Sequence, residues 1–293
     1  LRAGSRVAIV APAGPVPRDA FLAGAAILGA RYTLVHDERI FARSGFLAGD
    51  DDARTAELAA ALADPAIEAL FCARGGYGLM RILDRLDLAA FARAPKLIVG
   101  FSDITALHAW AARAGVASLH GPVVTQLGKL PPDDAAALFA LAESPAAPPP
   151  LTGLHALSAG RAEGRLVGGN LELISRLCGT PWALSLDGAV LLIEEVGERP
   201  YRIDRQLTQL RLSGALDRLA GVVVGGLVGC TEKDGSPPEA EAVIAERLGG
   251  RGIPVLAGAP IGHGPRNRAV PQGTRVRLES VAGTIDFLEG AVS

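Results

Sequence analysis

Apolar residues in the first part of the chain come in short runs, and the segments between them carry apolar side chains at helical spacing. The runs RVAIVA (6 to 11), YTLVH (32 to 36), IEALFC (67 to 72), KLIVG (96 to 100) and ASLH (117 to 120) predict strands. Amphipathic segments near 18 to 30, 50 to 64, 78 to 93 and 103 to 114 predict the intervening helices. Strands this apolar, alternating with helices, imply a parallel sheet covered on both faces. Functional residues in such sheets gather beyond the carboxyl ends of the strands. Three of those ends carry APAGP (11 to 15), ARGGYG (73 to 78) and GFSD (100 to 103).

Between Leu130 and Gly153 the alternation breaks into prolines and small residues, including PP at 131 and APPP at 147 to 150. That composition predicts an interdomain linker. Beyond it the pattern is mixed: RAEGRLVGG, a helix from Asn170 to Cys178, AVLLIEE, a helix from Tyr201 to Leu212, GVVVGGL, a helix from Pro238 to Leu248, PVLAGAP, and strands near 274 to 279 and 283 to 287. The expected organisation is a parallel-sheet α/β domain over 1–130, a linker over 131–153, and a mixed β/α domain over 154–293.

Composition narrows the function classes. With 293 residues and 49% hydrophobic side chains the chain can bury two cores, while a net charge of −2 offers no basic footprint for nucleic acid or an anionic membrane. Cys72, Cys178 and Cys230 are odd in number and far apart in apolar stretches, so they read as reduced core residues. No H-E-x-x-H or Cys/His cluster calls for a metal, and no cofactor is expected. The N-terminal apolar run is too short for a signal segment or a membrane span, which points to the cytoplasm, although residue 1 is Leu and upstream residues could be missing.

Ser102 sits on the turn between the strand Leu97 to Gly100 and the following helix. It reads either as a helix N-cap, with Asp103 complementing the helix dipole, or as the nucleophile of a strand-to-helix elbow. Gly100 suits the close approach of an elbow, but Ile104 stands where G-x-S-x-G has its second glycine. The loop CARGGYG offers flexible amides at the same sheet edge, able to bind a phosphate or an oxyanion. With no G-x-x-x-x-G-K-[ST], a nucleotide P-loop is not expected. A nucleophilic serine needs a base and the base needs an acid. His36 and His155 lie at boundaries without a supporting pattern, and His108 falls six positions into the helix after Ser102, where it is expected to point away from the elbow. His120 in LHGPV and His263 in GAPIGHGPRN both remain as candidate bases. Alternation along LLIEE points Glu194 and Glu195 to opposite faces, so one carboxylate is expected inside. An inward carboxylate needs a partner.

Taken together, ARGGYGLMRILDRLD, IVGFSDITALH, LHGPV, GRLVGGNLELI, LLIEEVGERPYRIDRQLTQL and GAPIGHGPRNRAVPQGTRVRL resemble, in order and spacing, the LD-carboxypeptidase family of serine peptidases, which includes the microcin-immunity peptidases. The likeness runs from Val7 to about Leu278. It places the family's nucleophile at Ser102, its acid at Glu194 and its base at His263, with the oxyanion facing the amides of Asp103 and Gly76. It implies hydrolysis of an amide between an L-centre and a D-amino acid, typically release of D-alanine from a murein tetrapeptide in cell-wall recycling. A departure stands in APAGP, where many members carry a serine after the proline. A carboxypeptidase must also hold a free carboxylate, for which an arginine fork is the usual device. Arg74, beside the glycine loop, is the first candidate, with Arg202 and Arg205 behind it. The expected partner is a small peptide, the oligomeric state is open with a homodimer to be tested, and two rivals stand: cleavage of acyl-nucleotide antibiotics, and a non-enzymatic α/β ligand-binding protein.

Overall fold

The computed structural model describes residues 1–292 and contains two sheets. The first has β1 (Arg6–Val10), β2 (Thr33–Val35), β3 (Ala69–Cys72), β4 (Leu97–Gly100) and β5 (Ser118–His120), all parallel, in the order β5-β4-β3-β1-β2. Side chains alternate across it. Val7 and Ile9 enter one apolar cluster with Phe21 and Leu28, while Ala8 and Val10 enter another with Leu58 and Trp110. This sheet is packed on both faces by α1 (Arg18–Gly29), α2 (Asp51–Ala63), α3 (Leu88–Arg93), α4 (Thr105–Arg113) and α5 (Val124–Leu127). The helix expected over 78 to 93 is instead two single 3₁₀ turns and the short α3, which Asp87 restarts by capping the Ala90 N–H at 2.8 Å.

The stretch expected as a linker contains α6 (Pro132–Glu143). Pro132 occupies its first turn, where a missing N–H costs nothing, and Ala135, Leu138, Leu141 and Ala142 pack into the first domain's core. The linker reading is therefore corrected: of residues 131–153 only Pro131 and the stretch from Ser144 to Gly153 lack helix or strand, apart from a β-bridge at Leu151.

The second sheet is mixed, as predicted. It comprises β6 (His155–Ser158), β7 (Arg161–Asn170), β8 (Val190–Val196), β9 (Gly221–Val228), β10 (Val255–Ala257), β12 (Arg275–Glu279) and β13 (Thr284–Phe287), in the order β13-β12-β7-β8-β9-β10-β6. The run β7-β8-β9-β10 is parallel and the outer pairs are antiparallel. One face is covered by α7 (Leu171–Leu177), α8 (Pro200–Leu212) and α9 (Ala240–Gly249). The strand β11 (Val270–Gln272) leaves this half and pairs antiparallel with β5 at the edge of the first sheet. Its Pro271 is tolerated there because an edge strand needs only one row of hydrogen bonds. The chain thus crosses back, and the piece that crosses follows directly on the His263 loop. The glycines before Asn170 let β7 approach the start of α4, where the Asn170 N–H donates to Thr105 Oγ1 at 3.0 Å.

Candidate active site

Ser102 follows β4 with φ of 67°, the one non-glycine residue with positive φ among those described. Such a backbone is costly for a side chain with a Cβ and persists where neighbours over-determine it. Those neighbours are close. A Cβ on Gly75 would lie 2.8 Å from Ser102 Cβ, and one on Gly100 would lie 2.9 Å from the side chain of Ile104, which fills the room expected of a second elbow glycine. The capping alternative does not hold: Ser102 makes no side-chain cap, and its hydroxyl instead meets His263.

His263 lies on the loop after β10, with Nε2 3.2 Å from Ser102 Oγ and Nδ1 2.6 Å from Glu194 Oε2. Its ring packs on Phe101 with centroids 4.7 Å apart. Glu194 is fully buried at the end of β8. Between Ile193 and Glu195 the pairing of β8 with β9 shifts by one residue, a bulge at the level of Glu194. Gly262 has φ of 103°, and a Cβ there would stand 2.4 Å from Glu194 Oε2, so only glycine lets the carboxylate reach the imidazole. Ser102, His263 and Glu194 are therefore brought together from both halves of the chain.

Both acids of LLIEE are buried, one on each face of β8, where alternation predicts a single inward carboxylate. Glu195 accepts from Asn170 Nδ2 and from the N–H groups of Glu172 and Val196, each at 2.9 Å. Burial nevertheless pushes its pKa up to about 7. It ties the start of α7 to β8 and does not touch His263. His120 is fully buried beside Phe101 and His108, and its ring nitrogens have no partner among the described residues. Burial first, then the neighbouring His108 and His263, holds it well below the usual histidine range. His108 lies beneath the elbow, with Nε2 2.8 Å from the Gly100 carbonyl oxygen and Nδ1 2.8 Å from Ser118 Oγ.

Gly76 stands on the exposed turn after β3, and no acceptor among the described residues takes its N–H. Asp103 occupies the first turn after the elbow, where N–H groups have no intrahelical acceptor. Its buried carboxylate does something else: Oδ2 accepts the Leu79 N–H at 2.9 Å, pinning the glycine loop against the elbow. Desolvation raises its pKa to about 6. Arg74 Nη1 donates to the Pro15 carbonyl at 2.5 Å, and Arg74 lines a cleft of about 660 Å³ together with Gly76. Arg202 and Arg205 are not brought to this place. They line a separate groove with Tyr201 and Glu198; Ser102, Glu194 and His263 line neither that groove nor the Arg74 cleft, which is set apart by holding Gly76 of the glycine loop.

Other residues of the site escape a sequence reading. Asn267 Oδ1 accepts the Gly262 N–H at 2.9 Å, and Asn267 Nδ2 donates to Gln126. Asp134 of α6, fully buried, receives Arg266 and the Asn267 N–H. Arg54, 1% exposed, donates to the carbonyls of Pro12 and Gly78 and pairs with Asp51, clamping two of the three loops at the sheet edge. The third contact between them is Gly14 N–H donating to the Gly75 carbonyl at 3.0 Å. The local signals are present in GPRN and in PPDDAAALFA, but pairing them needs the fold.

The LD-carboxypeptidase N-terminal domain matches residues 7–121, and the LD-carboxypeptidase C-terminal domain matches 163–278. The chain belongs to the LD-carboxypeptidase family. It is 34% identical to the murein tetrapeptide carboxypeptidase of Pseudomonas aeruginosa over 94% of this chain and 93% of that one. The solved muramoyltetrapeptide carboxypeptidase of Oxalobacter formigenes superposes with a TM-score of 0.84 at 30% identity, covering 96% and 97% of the two chains. The microcin C7 self-immunity protein MccF of Escherichia coli is 25% identical over 97% of this chain and 92% of its own. The solved wild-type structure of a microcin C7 self-immunity protein MccF shares the fold at a TM-score of 0.90 and 22% identity, over 100% and 98% of the two chains. Ser102 falls within the N-terminal family match of this LD-carboxypeptidase, and Glu194 and His263 fall within its C-terminal one.

Proposed function

We propose that this protein is a serine LD-carboxypeptidase that releases the terminal D-alanine of a murein tetrapeptide. The observation that carries the reading is the continuous hydrogen-bonded chain from Ser102 through His263 to the buried Glu194. His263 Nε2 takes the hydroxyl proton as Ser102 Oγ attacks the scissile carbonyl, and Glu194 holds the Nδ1–H and stabilises the imidazolium. The oxyanion forms against the N–H groups of Gly76 and Asp103, on loops tied together by the Leu79 N–H to Asp103 and the Gly14 N–H to the Gly75 carbonyl. His263 then gives its proton to the leaving amine, and a water molecule repeats the sequence on the acyl-serine. Arg74 meets a substrate carboxylate, since its place beside Gly76 puts it next to the reacting carbonyl.

The names of the murein carboxypeptidase relatives support the peptide substrate, and the identity to them exceeds that to MccF. Mass spectrometry of a murein tetrapeptide and an acyl-nucleotide, each incubated with the enzyme, tests the choice. Loss of one D-alanine from the tetrapeptide is expected, and cleavage of the nucleotide conjugate alone would reverse the assignment.

A further inference from the structure

The cleft beside Gly76 has a second wall. Ser44 and Leu47 exchange backbone hydrogen bonds at 2.9 and 3.0 Å, closing a tight turn that lifts Phe46 to 65% exposure. The turn is not loose: Leu47 is buried against Gly78, and the Ala48 N–H donates to the Ala13 carbonyl at 2.9 Å. Phe46 meets Tyr77 edge to face across 5.6 Å, and Tyr77 is itself 47% exposed directly after Gly76. Two large aromatic rings standing in solvent at the rim of a cleft mark a place where a ligand covers them.

Two guanidinium groups line the same cleft, those of Arg43 and Arg74. Arg43 Nε donates to the Gly45 carbonyl at 3.2 Å and Arg74 Nη1 to Pro15, so each is oriented by backbone. Most arginines of this chain meet a carboxylate, as Arg18, Arg31, Arg54 and Arg81 do. No carboxylate among the described residues lies within salt-bridge distance of Arg43 or Arg74. Positive charge aimed by backbone and left without an internal counter-ion suits an incoming anion, and the planar fork suits a carboxylate.

We infer that this cleft is the binding site for a carboxylate of the peptide substrate, held by Arg43 together with Arg74, while Phe46 and Tyr77 cover the carbon surface beside it. The inference rests on the peptidase reading above and adds Arg43, Phe46 and Tyr77 to it as specificity-determining residues. A tetrapeptide offers carboxylates at its C-terminal residue and within its acyl part, and the chemistry of recognition is the same for both.

The test is titration calorimetry of the tetrapeptide against Ser102→Ala, with and without Arg43→Gln, beside two analogues amidated either at the C-terminus or at the acyl-part carboxyls. Arg43→Gln is expected to weaken the free tetrapeptide about tenfold or more, the scale of a charge-assisted hydrogen bond. It should cost nothing further for the analogue that lacks the bound carboxylate, which names the source. Phe46→Ala should weaken all three peptides alike. Equal affinities with and without Arg43→Gln for every peptide would overturn the site. Turnover is read separately: binding of the tetrapeptide without cleavage by the unsubstituted enzyme defeats the peptidase reading alone, whereas cleavage with an unchanged KM in Arg43→Gln defeats this site alone.

Discussion

Asp134 and Asn267 lie 133 residues apart in sequence and share a hydrogen bond, the Asn267 N–H donating to Asp134 Oδ2 at 3.1 Å. Through it a helix packed on the first domain fixes the loop that carries His263, because the same Asn267 receives the Gly262 N–H on its side-chain oxygen. The imidazole therefore takes its position from both halves of the molecule.

Asp134→Ala should accordingly damage turnover more than binding. Removing the buried acceptor leaves the Asn267 N–H and Arg266 without their partner, at a cost of about 1–3 kcal/mol in stability. The freed loop misplaces His263, and kcat should fall roughly tenfold or more while KM stays within about threefold. Steady-state kinetics on tetrapeptide decides it; a KM effect with unchanged kcat would place Asp134 outside the positioning of the base.

Ser102 presents a trade between stability and chemistry. Its φ of 67° is held by the packing of Gly75, and glycine at 102 would relieve the strain. Ser102→Gly should raise the unfolding free energy by about 1 kcal/mol and abolish turnover, whereas Ser102→Ala keeps the strained Cβ and loses several orders of magnitude of activity without that gain. Denaturant unfolding and a turnover assay on both variants check the pair. More than roughly a tenth of normal turnover in folded Ser102→Ala would exclude covalent catalysis.

Much of this architecture is legible in the amino-acid sequence. The apolar runs around Val7, Phe71 and Val99 mark central parallel strands because both of their faces are buried, and the partial elbow at Ser102 stands where such sheets place chemistry. Choosing His263 over His120, and Glu194 over Glu195, is beyond local reasoning: each pair shares a residue type and lies at or beyond a strand end, so the sequence separates them only through the family resemblance, and the structure through which group is paired. Prolines mislead in α6, since Pro132 at a helix start looks in sequence like Pro132 in a linker. The short β11 is hidden by Pro271, which weakens a strand signal everywhere except at an edge. Arg202 and Arg205 stand close to Glu194 in sequence, but α8 carries them to a different groove.

The two acids of β8 should separate cleanly on mutation. Glu194→Gln retains an acceptor for His263 Nδ1–H but removes the charge that stabilises the imidazolium, and kcat should fall by about 10²–10⁴. Its effect should be strongly non-additive with Ser102→Ala. Glu195→Gln introduces an N–H among three donors, so its loss should appear in stability, about 1–3 kcal/mol, with a much smaller change in turnover. A greater loss of kcat in Glu195→Gln than in Glu194→Gln would reverse the assignment of the acid.

His108 gives the fold a dependence on pH whose sign can be worked out. Burial lowers its pKa from 6.5 to about 4, so the folded chain holds it neutral in a range where the unfolded chain binds a proton. Its contribution is present above pH 6.5 and is lost as pH falls toward 4, at about 1.4 kcal/mol per unit and about 3 kcal/mol in all. Asp103 and Glu195 act with the opposite sign, because burial raises their carboxyls to about 6 and 7 and the folded chain binds those protons more tightly. The wild-type profile alone therefore mixes the two, and a difference is needed. His108→Gln can still donate toward the Gly100 carbonyl but does not titrate. The gap in unfolding free energy between wild type and His108→Gln, measured by denaturant titration, should narrow by about 2–3 kcal/mol between about pH 7 and about pH 4.5. A gap that stays constant over that range would mean that His108 takes up its proton equally in the folded and unfolded chains.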